Sequence, residues 1–257
     1  MTVAIVTGGS RGLGRALTGA LAGAGWSVVT DGRDQAGLQA AADQLRKRAG
    51  AAGQVVTVPG DVADPGHRRQ LVEAAEALGG LDLVVNNAST LGTTPLPALA
   101  AYPLDDLRRT YEVNTVAPLA LVQAALTWLR RAPDPRILNV TSDAGVQAYE
   151  GWGGYGSSKA ALEQLGAVLA VEEPGVRVWT VDPGDMRTQM HQEAFPGEDI
   201  SDRPRPEVVV PALLDLVHGH LPSGRYRVAG LLEAAEAADW AGADAADVAA
   251  AEAAVAR

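Results

Sequence analysis

Short runs of consecutive apolar, often β-branched residues alternate along this chain with longer segments whose apolar positions recur every three or four residues. The runs at 3–7, 27–30, 55–58, 81–85, 137–140, 176–181 and 226–228 read as seven strands. Several, such as Leu83-Val84-Val85, are apolar on successive rather than alternate residues. That is the pattern of a strand covered on both faces in a parallel sheet. Segments near 12–24, 34–48, 65–79, 105–131, 154–172 and 207–219 read as helices. This alternation predicts an α/β fold: a doubly wound, seven-stranded, mainly parallel sheet with right-handed crossovers and helices on both faces.

No repeat or linker divides the chain, and 257 residues suit one domain of this kind, expected over residues 1–230. Two segments break the alternation. Residues 195–206, Phe-Pro-Gly-Glu-Asp-Ile-Ser-Asp-Arg-Pro-Arg-Pro, are rich in proline and charge. They predict an irregular, mobile stretch within a substrate loop over about 185–206. Residues 231–257 form an Ala-rich extension, expected to be partly helical by propensity but with few large side chains to bury.

Composition excludes several functions. With no cysteine, the chain has no disulfide, thiolate nucleophile or Cys-ligated metal, which fits a cytoplasmic location. The first apolar run is too short for a signal segment, and no apolar stretch approaches the ~18 residues of a membrane span. A net charge of −10 argues against nucleic acid or an anionic membrane as partner. The four histidines, at 67, 191, 218 and 220, form no metal-binding pattern and read as solvated surface residues, so no metal is expected.

Two local motifs carry chemistry. Between the first strand and helix lies Thr7-Gly8-Gly9-Ser10-Arg11-Gly12-Leu13-Gly14. Its glycines permit a tight turn and let a pyrophosphate approach the backbone at a helix N-terminus, where free N–H groups favour an anion. The second motif is Tyr155-Gly-Ser-Ser-Lys159, with Ser142 thirteen residues upstream. The chain has 19 arginines and only two lysines, Lys47 and Lys159. A compact ammonium has therefore been placed where a planar guanidinium would act differently. Four residues apart on a helix, Tyr155 and Lys159 share one face, and a neighbouring Lys⁺ is expected to pull the phenol toward the working pH range.

Taken in order, these motifs resemble those of the short-chain dehydrogenase/reductase family, in its single-domain Rossmann-type form, over about residues 2–230. The resemblance implies a cofactor turn at Gly8, Ser10, Arg11, Gly12, Leu13 and Gly14. It implies further nucleotide contacts from Asp61 and Val62 in Gly60-Asp61-Val62, and from Asn87 and Ala88 in Asn86-Asn87-Ala88-Ser89, where Ser89 replaces the family's final glycine. Pro183, Gly184, Met186 and Thr188 resemble the stretch that holds the nicotinamide carboxamide. Asn114, Ser142, Tyr155 and Lys159 match a catalytic tetrad: Tyr155 as acid, Ser142 orienting the carbonyl, Lys159 bonding the cofactor ribose, Asn114 holding a relay water. In Thr30-Asp31-Gly32-Arg33, the family register puts Gly32 where NAD-selective members carry an acid and Arg33 where a 2′-phosphate would bind. Together with Arg11 this implies NADP(H) over NAD(H). A shift of one residue would instead make Asp31 the NAD-selecting acid.

The expected activity is hydride transfer between NADP(H) and a ketone or secondary alcohol of a small, mostly apolar substrate. Its pocket is expected to draw on Leu91, Leu96, Val146, Tyr149, Trp152, Met186 and Met190, beside Ser142 and Tyr155. An epimerase working through a transient ketone and a non-catalytic NADP-binding regulator are the alternatives. The resemblance also implies a homodimer or homotetramer, paired through the helices near 105–131 and 154–172.

Overall fold

The computed structural model of the protein describes residues 2–49 and 53–241. Its strands are β1 (Val3–Val6), β2 (Ser27–Gly32), β3 (Val55–Pro59), β4 (Leu83–Asn86), β5 (Arg136–Val140), β6 (Arg177–Asp182) and β7 (Gly224–Arg227). They lie in the order β3-β2-β1-β4-β5-β6-β7, and every neighbouring pair is parallel. The doubly wound sheet is thus present and parallel throughout.

The helices are α1 (Gly12–Gly23), α2 (Gln35–Ala49), α3 (Pro65–Ala77), α4 (Leu104–Tyr111), α5 (Ala117–Leu129), α6 (Gly153–Glu172), α7 (Gln189–Ala194), α8 (Pro206–His218) and α9 (Val228–Ala241). Residues of α1, α2 and α8 pack on one face of the sheet, and those of α3, α5 and α6 on the other. On β1, Ala4 and Val6 enter the first layer while Val3 and Ile5 enter the second, all four fully buried. With both faces covered, the strand has no polar side to alternate with, which is why its sequence reads as an unbroken apolar run.

Three segments depart from the sequence expectation. Residues 105–131, read as one helix, are interrupted by a π-helical turn at Glu112–Val116 that contains Asn114. Such a turn lengthens the hydrogen-bond ladder by one residue without altering the flanking composition, so periodicity alone does not reveal it. The last strand ends at Arg227, and Val228 begins α9. The start of the Ala-rich segment therefore continues a helix rooted in the domain; residues 242–257 lie outside the described residues. Within residues 185–206, expected from the sequence to form a substrate loop, α7 forms at Gln189–Ala194, capped by the Thr188 hydroxyl, which accepts from His191 N at 3.2 Å. Among the described residues no helix is long and apolar enough to cross a membrane.

Candidate active site

Strands β1 and β4 are neighbours, yet their crossovers leave in opposite directions, and the gap between their C-terminal ends is where doubly wound sheets take ligands. Here it opens a cleft of about 760 Å³ that runs from the glycine turn to the start of α6. At one end it is lined by Gly8, Ser10, Arg11, Gly12, Leu13, Arg33, Asp61, Val62, Asn87 and Ala88. At the other stand Ser142, Trp152, Tyr155, Lys159, Pro183, Gly184, Met186, Thr188 and Met190. Of the residues singled out in the sequence for catalysis, cofactor or substrate, Gly14, Leu96, Asn114 and Tyr149 do not line it.

The turn is shaped for close approach. Gly8 and Gly12 adopt φ of +74° and +56°, where a side chain would be strained. Gly14 sits so tightly that a Cβ there would come within 2.4 Å of both Asn87 Nδ2 and the Gly8 carbonyl. Its place is to pack α1 against β4. Asn87 and Ala88 are stitched to the turn as well: their N–H groups each donate to Thr7 Oγ1 at 3.0 Å, and Asn87 Nδ2 donates to the Thr7 carbonyl at 2.7 Å. Helix α1 begins at the turn with no side-chain cap, leaving its first N–H groups to face the cleft. Uncapped amides over a glycine cradle fit the diphosphate of a dinucleotide.

Around the rim, Asp61 accepts from Ala63 N at 2.9 Å and pairs with Arg109. Partial burial pushes its carboxyl up, but the Ala63 bond and Arg109 prevail and hold it below the usual range. Arg33 is exposed at the cleft edge. Arg11 reaches across the mouth to donate to Gln189 Oε1 on α7. Asp31 points the other way: it is 1% exposed, and its carboxylate accepts from Gly8 N at 2.6 Å and meets His67 Nε2 at 2.9 Å. His67, 3% exposed, is thus not the solvated residue expected from sequence. The first turn of α3 docks beneath the end of β2, where a buried carboxylate awaits a donor.

At the other end, α6 brings Tyr155 and Lys159 onto one face. Lys159 is 2% exposed and donates to the Val140 carbonyl at 2.8 Å, with its ammonium 5.5 Å from the Tyr155 ring centroid. Burial lowers its pKa to about 8 against an opposing pull from Glu163. Tyr155 is also buried, and desolvation raises its phenol above the ordinary value. The Ser142 and Ser89 hydroxyls oppose that rise, and Asp182 and Asp143 add to it. The lowered phenol expected from the sequence is therefore not what the chain alone produces, because desolvation prevails.

Ser142 stands just past β5. Its hydroxyl donates to Asp143 Oδ1 at 2.9 Å and accepts from Ala144 N at 3.2 Å. Asn114 is fully buried: Oδ1 accepts from Thr90 N and Ser89 Oγ, while Nδ2 donates to the Thr90 carbonyl and Ser158 Oγ. With all four positions of the amide taken, any group Asn114 offers a water belongs to its main chain, within the π-helical turn. Tyr149 is exposed and does not itself line the cleft, but its hydroxyl donates to two residues that do, to Asp143 Oδ2 at 2.7 Å or Gln147 Oε1 at 2.5 Å.

Beside Tyr155 the wall is apolar. Leu91, Ala144 and Tyr155 form a small buried cluster with Leu96, Trp152, Met190 and Ala194 packed on it. Trp152 meets Tyr155 edge-on at 5.6 Å and Phe195 at 5.8 Å. The cleft also carries polar groups that no local motif announces: Asp143, Gln147, Asp182, Arg225 and Arg227 all line it. Arg225 bonds Glu163 through Nε at 3.1 Å and approaches Asp182 at 3.7 Å. Arg225 and Arg227 lie two apart on β7 and so share a face, a signal present in Gly224-Arg225-Tyr226-Arg227. Asp185 is 64% exposed, near His191 and Arg203 at 3.7 and 3.8 Å.

Sheet order, glycine cradle and the Tyr155-Lys159 helix in one cleft define a class: a Rossmann-type protein shaped to seat a dinucleotide at its switch point. The chain belongs to the short chain dehydrogenase family, which matches residues 2–199, and so to a family of oxidoreductases. It is 36% identical over 196 residues to a rhamnolipid-biosynthesis 3-oxoacyl-acyl-carrier-protein reductase of Pseudomonas aeruginosa, spanning 73% of this chain and 74% of that one. To the sepiapterin reductase of Rattus norvegicus it is 33% identical over 202 residues, 75% of this chain and 77% of that one. Among solved structures, a short chain dehydrogenase of Shigella flexneri 2a complexed with NADP superimposes with a TM-score of 0.80 at 27% identity, covering 88% of this chain and 95% of that one.

Proposed function

We propose that the protein transfers a hydride between NADP(H) and a ketone or secondary alcohol, as a ketoreductase or alcohol dehydrogenase. The observation that carries this reading is the convergence of Ser142, Tyr155 and Lys159 on the cleft whose far end is the glycine cradle. The nicotinamide supplies or accepts the hydride. The turn residues, Asn87, Ala88 and the Pro183-Gly184 stretch would hold the cofactor, with Asp61 and Val62 beside its adenine. In the reductive direction Tyr155 donates its proton to the carbonyl oxygen, a role suited to a phenol that burial keeps protonated. Ser142 turns its hydroxyl from Asp143 to the same oxygen and stabilises the developing charge. Lys159 would bear on the cofactor ribose and supplies positive charge behind the phenol, and Asn114 would hold a relay water through its main chain.

Preference for NADP(H) is supported by Arg33 at the rim and by the inward turn of Asp31, which leaves Gly32 where an NAD-selecting acid would stand. The two reductases named above carry the names of dissimilar substrates, a 3-oxoacyl-acyl-carrier-protein and sepiapterin, so substrate class must come from this cleft. One apolar wall with Trp152 and Met190, together with Asp143, Gln147 and Arg227, suits a small amphipathic ketone. A panel of ketones and secondary alcohols, followed by NADPH absorbance, tests the proposal. Absence of cofactor turnover with every member would overturn it, and conversion of an alcohol to its epimer without net NADPH use would replace it with epimerisation.

A further inference from the structure

Asp31 and His67 take no part in the chemistry above, yet they are among the most buried polar side chains of the protein, at 1% and 3% exposure. A carboxylate so enclosed is costly unless its oxygens are bonded. Asp31 uses both: Oδ1 accepts from Gly8 N at 2.6 Å, and Oδ2 faces His67 Nε2 at 2.9 Å. Its main-chain carbonyl also accepts from Gly9 N at 2.9 Å. Two successive amides of the glycine turn are thus tied to a single residue at the end of β2. Next to it, a Cβ on Gly9 would meet Thr30 Oγ1 at 1.9 Å, so the turn rests directly on that strand end.

His67 is held for one task. Its Nδ1 is buried without a partner, which assigns the proton to Nε2, the nitrogen facing Asp31. Room for the ring comes from Gly60, where a Cβ would lie 2.2 Å from Nδ1. The imidazole therefore aims the carboxylate, and the carboxylate aims Gly8.

We propose that Asp31 and His67 are positioning residues for the cofactor diphosphate, a buried prop that holds the glycine turn in its binding shape before the nucleotide arrives. This rests on the dinucleotide reading given above. The prop turns the Gly8 and Gly9 N–H groups inward and leaves those that follow, from Ser10 to Leu13, to face the cleft, so ordering of the turn need not be supplied by binding. What matters is an acceptor at each Asp31 oxygen and a donor at position 67: an amide at 67 keeps that donor, whereas an amide at 31 would turn its NH2 against the His67 N–H.

The test is fluorescence titration of the ligand-free protein with NADPH, beside adenosine 2′-monophosphate, which lacks the diphosphate. Asp31→Ala should weaken NADPH by about tenfold or more, the scale of one lost buried hydrogen bond, and adenosine 2′-monophosphate by less than about twofold. His67→Gln, which keeps a donor for Oδ2, should hold NADPH affinity within about threefold of the unmodified protein. His67→Ala should weaken NADPH selectively and supplies the test if Asp31→Ala does not fold, and the change should appear in NADPH affinity rather than in kcat at saturating NADPH. Equal loss of both ligands, or a His67→Gln variant as weak as His67→Ala, would overturn the prop. Unaltered NADPH binding by Asp31→Ala would overturn it alone, whereas an unmodified chain that binds no NADPH would overturn the dinucleotide reading with it.

Discussion

Replacing Lys159 by methionine should abolish turnover and yet leave the ligand-free protein as stable as before or more so at neutral pH. Lys159 is 2% exposed, and burial lowers its ammonium from 10.5 to about 8. At about 1.4 kcal/mol per pKa unit, holding that charge inside the fold costs about 3 kcal/mol at pH 7. Methionine removes the charge with little change of shape but leaves the Val140 carbonyl without its 2.8 Å donor, a loss of about 1–3 kcal/mol. The two nearly offset, so stability at a single pH does not decide the matter. The pH dependence does. A folded value below the unfolded one means that the unfolded chain holds more protons between about 8 and 10.5, so the unmodified protein gains stability as pH rises through that window. The methionine variant has no such gain. From pH 7 to 9.5 the unmodified protein should improve relative to Lys159→Met by about 2 kcal/mol, or about 4–8 °C in Tm for a chain of this size. Thermal melts of both proteins followed by tryptophan fluorescence would measure it. Parallel Tm profiles across that range would show that Lys159 carries no burial cost.

Two further substitutions probe the roles assigned to the cleft. Tyr155→Phe should lower kcat/KM by about three orders of magnitude, the scale of a lost general acid, while NADPH affinity by fluorescence titration stays within about twofold; retention of most activity would remove Tyr155 from the chemistry. Arg33→Asp should reduce kcat/KM with NADPH by about a hundredfold, through loss of a charge-assisted bond and added repulsion of a dianion, and with NADH by less than about threefold. An equal effect on both cofactors would mean that Arg33 does not meet the 2′-phosphate.

Much of this architecture is legible in the sequence because its signals are local. Each strand is a run of apolar residues, the turn is contiguous from Gly8 to Gly14, and one helical turn joins Tyr155 to Lys159. What is not legible depends on where separate strand ends meet. Asp143, Asp182 and Arg225 lie near one another only because β5, β6 and β7 are adjacent and in register, with Asp182 opposite Arg227. His67 sits on the polar-looking first turn of α3, and nothing near it in the chain announces that the end of β2 will cover it. Tyr149 is the opposite case. An aromatic residue near α6 invites a place in the pocket, but it stands exposed at the rim, its hydroxyl bonded to Gln147 and Asp143, which line the cleft in its stead. Asp31 shows how a single residue of register matters: the side chain that would choose NAD if it faced the cleft instead supports the turn from below.

The charges around α6 lead to one more consequence, for the pH at which reduction fails. Tyr155 must carry its proton to act as an acid, and burial, aided by Asp182 and Asp143, keeps it protonated well past neutrality. Lys159 is the first of the pair to change state, near pH 8. Reductive kcat/KM should therefore be level below that pH and fall above it with the slope of a single proton. The position of the break is a contest between burial, which drives the lysine down, and Glu163, which lifts it. Glu163 lies one helical turn beyond Lys159 and is bonded by Thr141 at 2.7 Å and Arg225 at 3.1 Å. Glu163→Gln keeps an acceptor for both and removes only the charge. Without that charge burial acts unopposed, so the break should move below pH 8, and the variant should lose reductive activity at a pH where the unmodified enzyme keeps it. A break that stays in place, or moves upward, would mean that Lys159 does not govern the alkaline limb.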